Sequence, residues 1–149
     1  MNAAAYGRFD AVKFLLEQKA AVGKIDVDGW TALHFACNGG HAEIAALLLD
    51  NGADVNALNR DGDTGLLGAA IFGKPTCVRL LLERKADATV RRRVDNKTAL
   101  DIATQQGQDE IASMLQFAAT AAPPAAPPAP RVDASSSASV AENADSKPA

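Results

Sequence analysis

Residues 34–41 read HFACNGGH and hold both histidines and one of the two cysteines of the chain. Imidazole and thiolate are the usual protein ligands of zinc, and a Cys beside a His is also the start of a nucleophile–base pair. On a helix, His34 and Cys37 share a face at i, i+3. His41 lies beyond Gly39-Gly40, which breaks that helix. Zinc needs three or four converging ligands, and no third Cys, Asp or Glu is spaced to join these. Cys77 stands forty residues past Cys37 with no histidine near it in sequence. No phosphate-binding loop, dinucleotide glycine motif or pair of carboxylates on a plausible cleft is present. The expectation is therefore a chain without catalytic residues, metal ligands or cofactor, in which HFACNGGH has a structural meaning.

Charge is the other candidate chemistry. Residues 79–97 carry seven cations (Arg79, Arg84, Lys85, Arg91, Arg92, Arg93, Lys97) against three anions, a net of +4, which leaves −7 for the rest of a chain whose total is −3. A basic island of this size suits an acidic protein segment. Nucleic acid or anionic lipid wants a wide basic stripe and a high pI, and the pI here is about 5.3.

What must position these residues is a repeat. Asp28, Gly29, Thr31, Leu33, Ala36, Gly40, Leu47 to Leu49, Ala53 and Asp54 recur 33 residues on, from Asp61 and Gly62 to Ala86 and Asp87. A further copy starts at Asp95, shifted by 34, so one residue is inserted within TVRRRV. A partial copy, shifted back by 33, matches from Gly7 onward, with Leu15 and Leu16 under Leu48 and Leu49. Repeats of this length stack into solenoids. The pattern DGWTALHFACNGGH…LLLDNGADVN resembles the ankyrin repeat, with TALH where that family has a proline. The resemblance covers about residues 3–117. It implies an all-α solenoid: two antiparallel helices and a projecting hairpin per repeat, with His34 bonding loop backbone and Thr31.

The residues point the same way. Thr31 can cap a helix with its hydroxyl, and Ile44, Leu47 and Leu48 form one face of a second helix. Gly52 follows in the place of a left-handed cap, and Pro75 falls in a first helical turn, where its missing N–H costs nothing. Cys77, in the register of Ile44, reads as a core position. Lys19 and Lys85 stand where Gly52 does, so each faces a left-handed backbone. Gly65 and Gly68 weaken a first helix by about 1 kcal/mol each, which makes 61–94 the expected loosest repeat. Met1 aligns with His34, so 1–27 is a partial repeat with an apolar end lacking cover, and a fragment or an N-terminal partner is expected. The copy at 95–117, with Gln105, Gln106, Gln108, Asp109 and Gln116, has the polar outer face of a cap. Residues 118–149, rich in Pro, Ala and Ser, read as a disordered spacer with a Pro124-x-x-Pro127 match.

Ankyrin repeats as a family bind proteins through hairpin tips and the groove beside the first helices, and the resemblance implies the same here. Those positions carry Trp30, Phe35, Asn38, Arg60, Asp63, Ile71, Phe72 and Lys97, with Arg91, Arg92 and Arg93 on the inserted hairpin. Trp30 is the only tryptophan, and it either anchors a partner or packs on Ile25 or Val27 of the neighbouring hairpin. The expected partner is another protein, with an acidic segment opposite the arginines, bound by a monomer. Two further alternatives are a regulatory piece of a larger enzyme or channel, and an anionic ligand held by Arg91–Arg93. Two cysteines and a start holding Asp10 and Glu17 without a signal-type run point to a reducing, intracellular place, cytoplasm or nucleus.

Overall fold

In the computed structural model, residues 1–121 are described. Met1–Ala119 make one compact unit; of the second, Thr120–Ala149, only the end of a helix is described. The described residues hold helices and no strand: α1 (Asn2–Ala5), α2 (Phe9–Glu17), α3 (Ala32–Gly39), α4 (Ala42–Asp50), α5 (Gly65–Ile71), α6 (Pro75–Glu83), α7 (Ala99–Gln105) and α8 (Asp109–Ala121). They pair as α1/α2, α3/α4 and α5/α6, with α7 and α8 following in the same order. Like meets like between neighbours, with α1 on α3, α3 on α5, α5 on α7, and α2 on α4 and α4 on α6. No pair is large enough to bury its own apolar side, so the core exists between pairs. α8 runs past Phe117 through four more residues, three of them alanine, the best helix former. Residues 118–121, expected as the start of a disordered spacer, are therefore helical, and the rest of that segment lies outside the described residues.

The period is written in the backbone. Residues with positive φ fall on three registers: Gly7, Gly40, Gly73 and Gly107; Lys19, Gly52 and Lys85; Gly29, Gly62 and Asn96. The first helices start alike. Thr31, Thr64 and Thr98 are extended and accept from the N–H groups of His34, Leu67 and Asp101. Pro75 is the first residue of α6.

Lys85 has φ 66° where Gly52 has 95°. A left-handed L-residue costs roughly 1–2 kcal/mol, and glycine's extra freedom in the unfolded chain returns only part of that. Lys85→Gly should then raise stability by about 0.5–1 kcal/mol, read as a higher urea midpoint at unchanged slope. A lower midpoint would mean the lysine turn carries no strain.

Gly65 and Gly68 have a use that composition hid. Every residue from Gly65 to Ala70 is buried. A Cβ on Gly68 would come within 2.0 Å of Asn38 Oδ1, and one on Gly65 within 3.0 Å of Cys37 Sγ. The glycines admit α5 close against α3, a packing use that their helix propensity alone does not show.

Candidate functional site

Three hairpin loops project between the helix pairs, and each closes the same way. The N–H of Asp26, Asn59 and Arg92 donates to the carbonyl of Trp30, Asp63 and Lys97. In the first two, a side-chain oxygen gathers the turn: Asp26 Oδ1 accepts from Asp28 and Trp30 N–H, and Asn59 Oδ1 from Asp61 and Asp63 N–H. The loops are also tied to one another, Arg60 N–H to the Asp28 carbonyl at 3.0 Å and Arg93 N–H to the Asp61 carbonyl at 2.8 Å. The tips are thus a cross-linked row.

His34 anchors that row to the helices. Its ring is 2% exposed. Nδ1 lies 3.0 Å from Thr31 N and 2.9 Å from Thr31 Oγ1, and Nε2 lies 2.9 Å from the Asp63 carbonyl. Since Thr31 N–H can only donate, Nδ1 accepts and the proton sits on Nε2, donating to Asp63. Burial lowers the His34 pKa, against the pull of the Asp63 and Ala57 carbonyls and the Asp63 and Asp26 charges. The ring is neutral and structural. His41 serves the first repeat similarly, with Nε2 3.3 Å from the Ala5 carbonyl. Cys37 and Cys77 are both buried free thiols; contact with the Cys77 thiol and burial push the Cys37 thiol well up. Among the described residues no three His, Cys, Asp or Glu are grouped to hold a metal ion.

Trp30 is half-buried, and its ring meets neighbours in its own repeat. It stands edge-on to His34 at 5.8 Å and tilted on Phe35 at 5.4 Å. Ile25 and Val27 are 62% and 78% exposed. Asn38 lies over Gly68 with Oδ1 buried and lacking a hydrogen bond. Ile71 is half-buried, Phe72 and Arg60 are exposed, and Lys97 Nζ bonds Gln105 Oε1.

The charged positions differ most from their sequence expectation. Asp63 is no open tip residue: it is 7% exposed and accepts from Arg92 Nε at 2.8 Å. Burial raises its pKa, with Arg92 opposing. Arg92 also lies 3.5 Å from Asp95, and Arg91 bonds the Asn96 carbonyl and lies 4.0 Å from Asp101. Arg93 reaches the Arg60 carbonyl, and Arg60 lies 4.0 Å from Asp28. Arg79, Arg84, Arg91 and Arg92 of the basic island pair with carboxylates that, apart from Asp95, lie outside it, and Arg92 is a strut. Sequence reasoning gave Ile25 and Val27 only as a platform for Trp30 and did not name Leu58. Their signal was their register, since Ile25 and Leu58 precede the same turn on adjacent loops and Val27 shares the place of Arg60 and Arg93.

A solenoid of helix pairs with cross-linked loops defines a repeat scaffold, the class whose surface is a continuous face rather than a pocket. The family described as ankyrin repeats (3 copies) matches residues 1–59 and 51–122. The chain belongs to the ankyrin repeat family. Domains of this family are typically non-catalytic and bind other proteins. None of the curated proteins compared with the chain matches it. No described helix is long and apolar enough to cross a membrane.

Proposed function

We propose that this protein is a non-enzymatic binding module that holds another protein, as a monomer inside the cell, against its hairpin tips and the groove beside α3 and α5. The observation that carries this is the row of exposed apolar side chains on loops whose backbones are bonded together: Ile25 and Val27, then Leu58, with Trp30 and Phe35 behind and Phe72 at the end of α5. Pre-ordered loops lose little freedom on binding, so more of the contact energy becomes affinity. On the third hairpin Arg92 already faces Asp63 and Asp95 and Arg91 lies 4.0 Å from Asp101, while Arg93 reaches only the Arg60 carbonyl, so the hairpin adds a rim of partly matched charge.

The test is Trp30→Ala with the captured partner. Truncating a central aromatic should cost about 2 kcal/mol, roughly 30-fold in Kd. Losing the Phe35 and His34 ring contacts should lower the stability of the free protein by only about 0.5–1.5 kcal/mol. Retention of every partner at full affinity would make the tryptophan purely structural.

A further inference from the structure

The two cysteines of the chain lie on different helices of different repeats, Cys37 on α3 and Cys77 on α6, and the stack brings them together. Both are fully buried, and a hydrogen bond joins their thiols. Their registers show what is unusual in this. Ala4, Cys37 and Ala70 hold one place on successive first helices, and Ile44, Cys77 and Ile111 hold one place on the second helices that follow. All six are buried. The step that sets Cys37 against Cys77 thus sets Ala4 against Ile44 and Ala70 against Ile111, a small side chain against a large one. A single cysteine would fill such a core place as a small apolar residue. Here both partners are cysteine, and two sulfurs stand where one bond would join neighbouring repeats.

Their surroundings make the two sulfurs chemically unequal. Cys77 is the third residue of α6, where the amide dipoles of the helix start favour negative charge. The hydrogen bond from Cys37, opposed by burial and aided by the Lys74 charge, lowers the Cys77 pKa. The same contact and burial raise that of Cys37. Cys77 is the sulfur that ionises first, with the Cys37 thiol donating to it. Gly65 leaves the Cys37 sulfur its room, since a Cβ there would stand 3.0 Å from Sγ.

We infer that Cys37 and Cys77 are a thiol pair that hydrogen peroxide converts into a disulfide bridging the second and third repeats. The Cys77 thiolate attacks one peroxide oxygen, the O–O bond breaks and hydroxide leaves, which gives a sulfenic acid. The Cys37 sulfur then attacks the Cys77 sulfur, and its proton departs with the displaced hydroxyl as water. Two thiols lose two electrons and two protons, and the peroxide becomes two waters. A small oxidant suits a pair without exposed surface, because local opening of α6 is enough to admit it. A bond made on demand is also the ordinary use of a disulfide in a reducing compartment. The ring it closes, residues 37–77, contains α5 and the hairpin of Leu58 and Arg60.

The test treats the natural protein, reduced and then freed of reductant, with hydrogen peroxide and maps its peptides. Both thiols should disappear together, into one linked peptide pair lighter by two hydrogens, and dithiothreitol should restore them. Closing so long a ring narrows the unfolded ensemble, so the melting midpoint should rise by about 5 °C or more. Cys37→Ala alone should leave Cys77 as a sulfenic acid that dimedone labels. Cys37→Ala with Cys77→Ile copies the other interfaces and should hold one midpoint with and without peroxide. If that variant does not fold, the linked peptide of the natural chain still decides. Thiols that survive peroxide even in urea just below the midpoint, or that oxidise without linking, would overturn the inference. So would a linked chain that melts below the reduced one, since the bond would then distort the stack. These readouts need no bound partner, so they stand apart from the tip-and-groove function.

Discussion

His34→Ala should remove about 3–5 kcal/mol of stability, a large share of what a domain of this size has. The ring is enclosed, so alanine leaves a void, which costs beyond the lost contacts. It also leaves the Thr31 N–H without its partner at 3.0 Å, at about 1–3 kcal/mol for a buried group, while the Asp63 carbonyl loses the 2.9 Å bond and keeps the one from Asn59 N–H. Thr31 still accepts from residue 34 N–H, so the helix start survives and the damage falls on the hairpin. His34→Leu, the residue its register holds in the next repeat, fills the space and should cost less. Chemical denaturation of the three proteins checks the order. Equal losses for alanine and leucine would place the whole effect in hydrogen bonding, and no loss would deny His34 its anchoring role.

The same ring gives a pH dependence of defined sign. Its folded pKa lies below the ordinary value of 6.5 because burial disfavours the cation. Protonation would also set an Nδ1–H against the Thr31 N–H. Below about pH 6.5 the unfolded chain therefore takes up a proton more readily than the folded one, and stability falls as the pH drops. Above pH 6.5 the contribution is fully present. Urea midpoints at pH 7.5 and 5.5 should show the decline in the natural protein and its reduction in His34→Leu. Asp63 acts in the opposite sense, because burial raises its pKa.

Arg92→Ala should cost about 2–4 kcal/mol, because it leaves the Asp63 carboxylate buried without its 2.8 Å partner. The side chains of the pair are 22% and 10% exposed, so solvent replaces little of the loss. Converting both partners, Arg92→Leu with Asp63→Asn, removes the stranded charge and should recover most of the stability. If the double variant is as damaged as Arg92→Ala, the arginine acts through packing rather than through charge.

These two sites were legible in the sequence to different degrees. His34 was readable because its chemistry is local: Thr31 lies three residues away, and only the carbonyl it reaches is remote. The left-handed turns at Lys19 and Lys85 were readable because Gly52 shares their register. Asp63 was not, since a carboxylate at a loop tip is ordinarily solvated. Its burial depends on the third hairpin, where the inserted residue comes between Arg92 and Lys97 and the arginine takes the place of Asp26 and Asn59. Gly65 and Gly68 misled for a related reason. Propensity speaks of the isolated helix, whereas their use lies in the approach of Asn38 and Cys37 from another one. Contacts between repeats are set by stacking, and no single repeat contains them.

That a protein partner lies across the hairpin tips and the α3–α5 groove is tested most directly by hydrogen exchange on the captured complex against the free protein. Slowed exchange at residues 25–31, 58–64 and 91–97 and at the ends of α3 and α5, with α4 and α6 unchanged, is the expected result. Protection confined to α4 and α6, with the three hairpins exchanging as they do in the free protein, would contradict it.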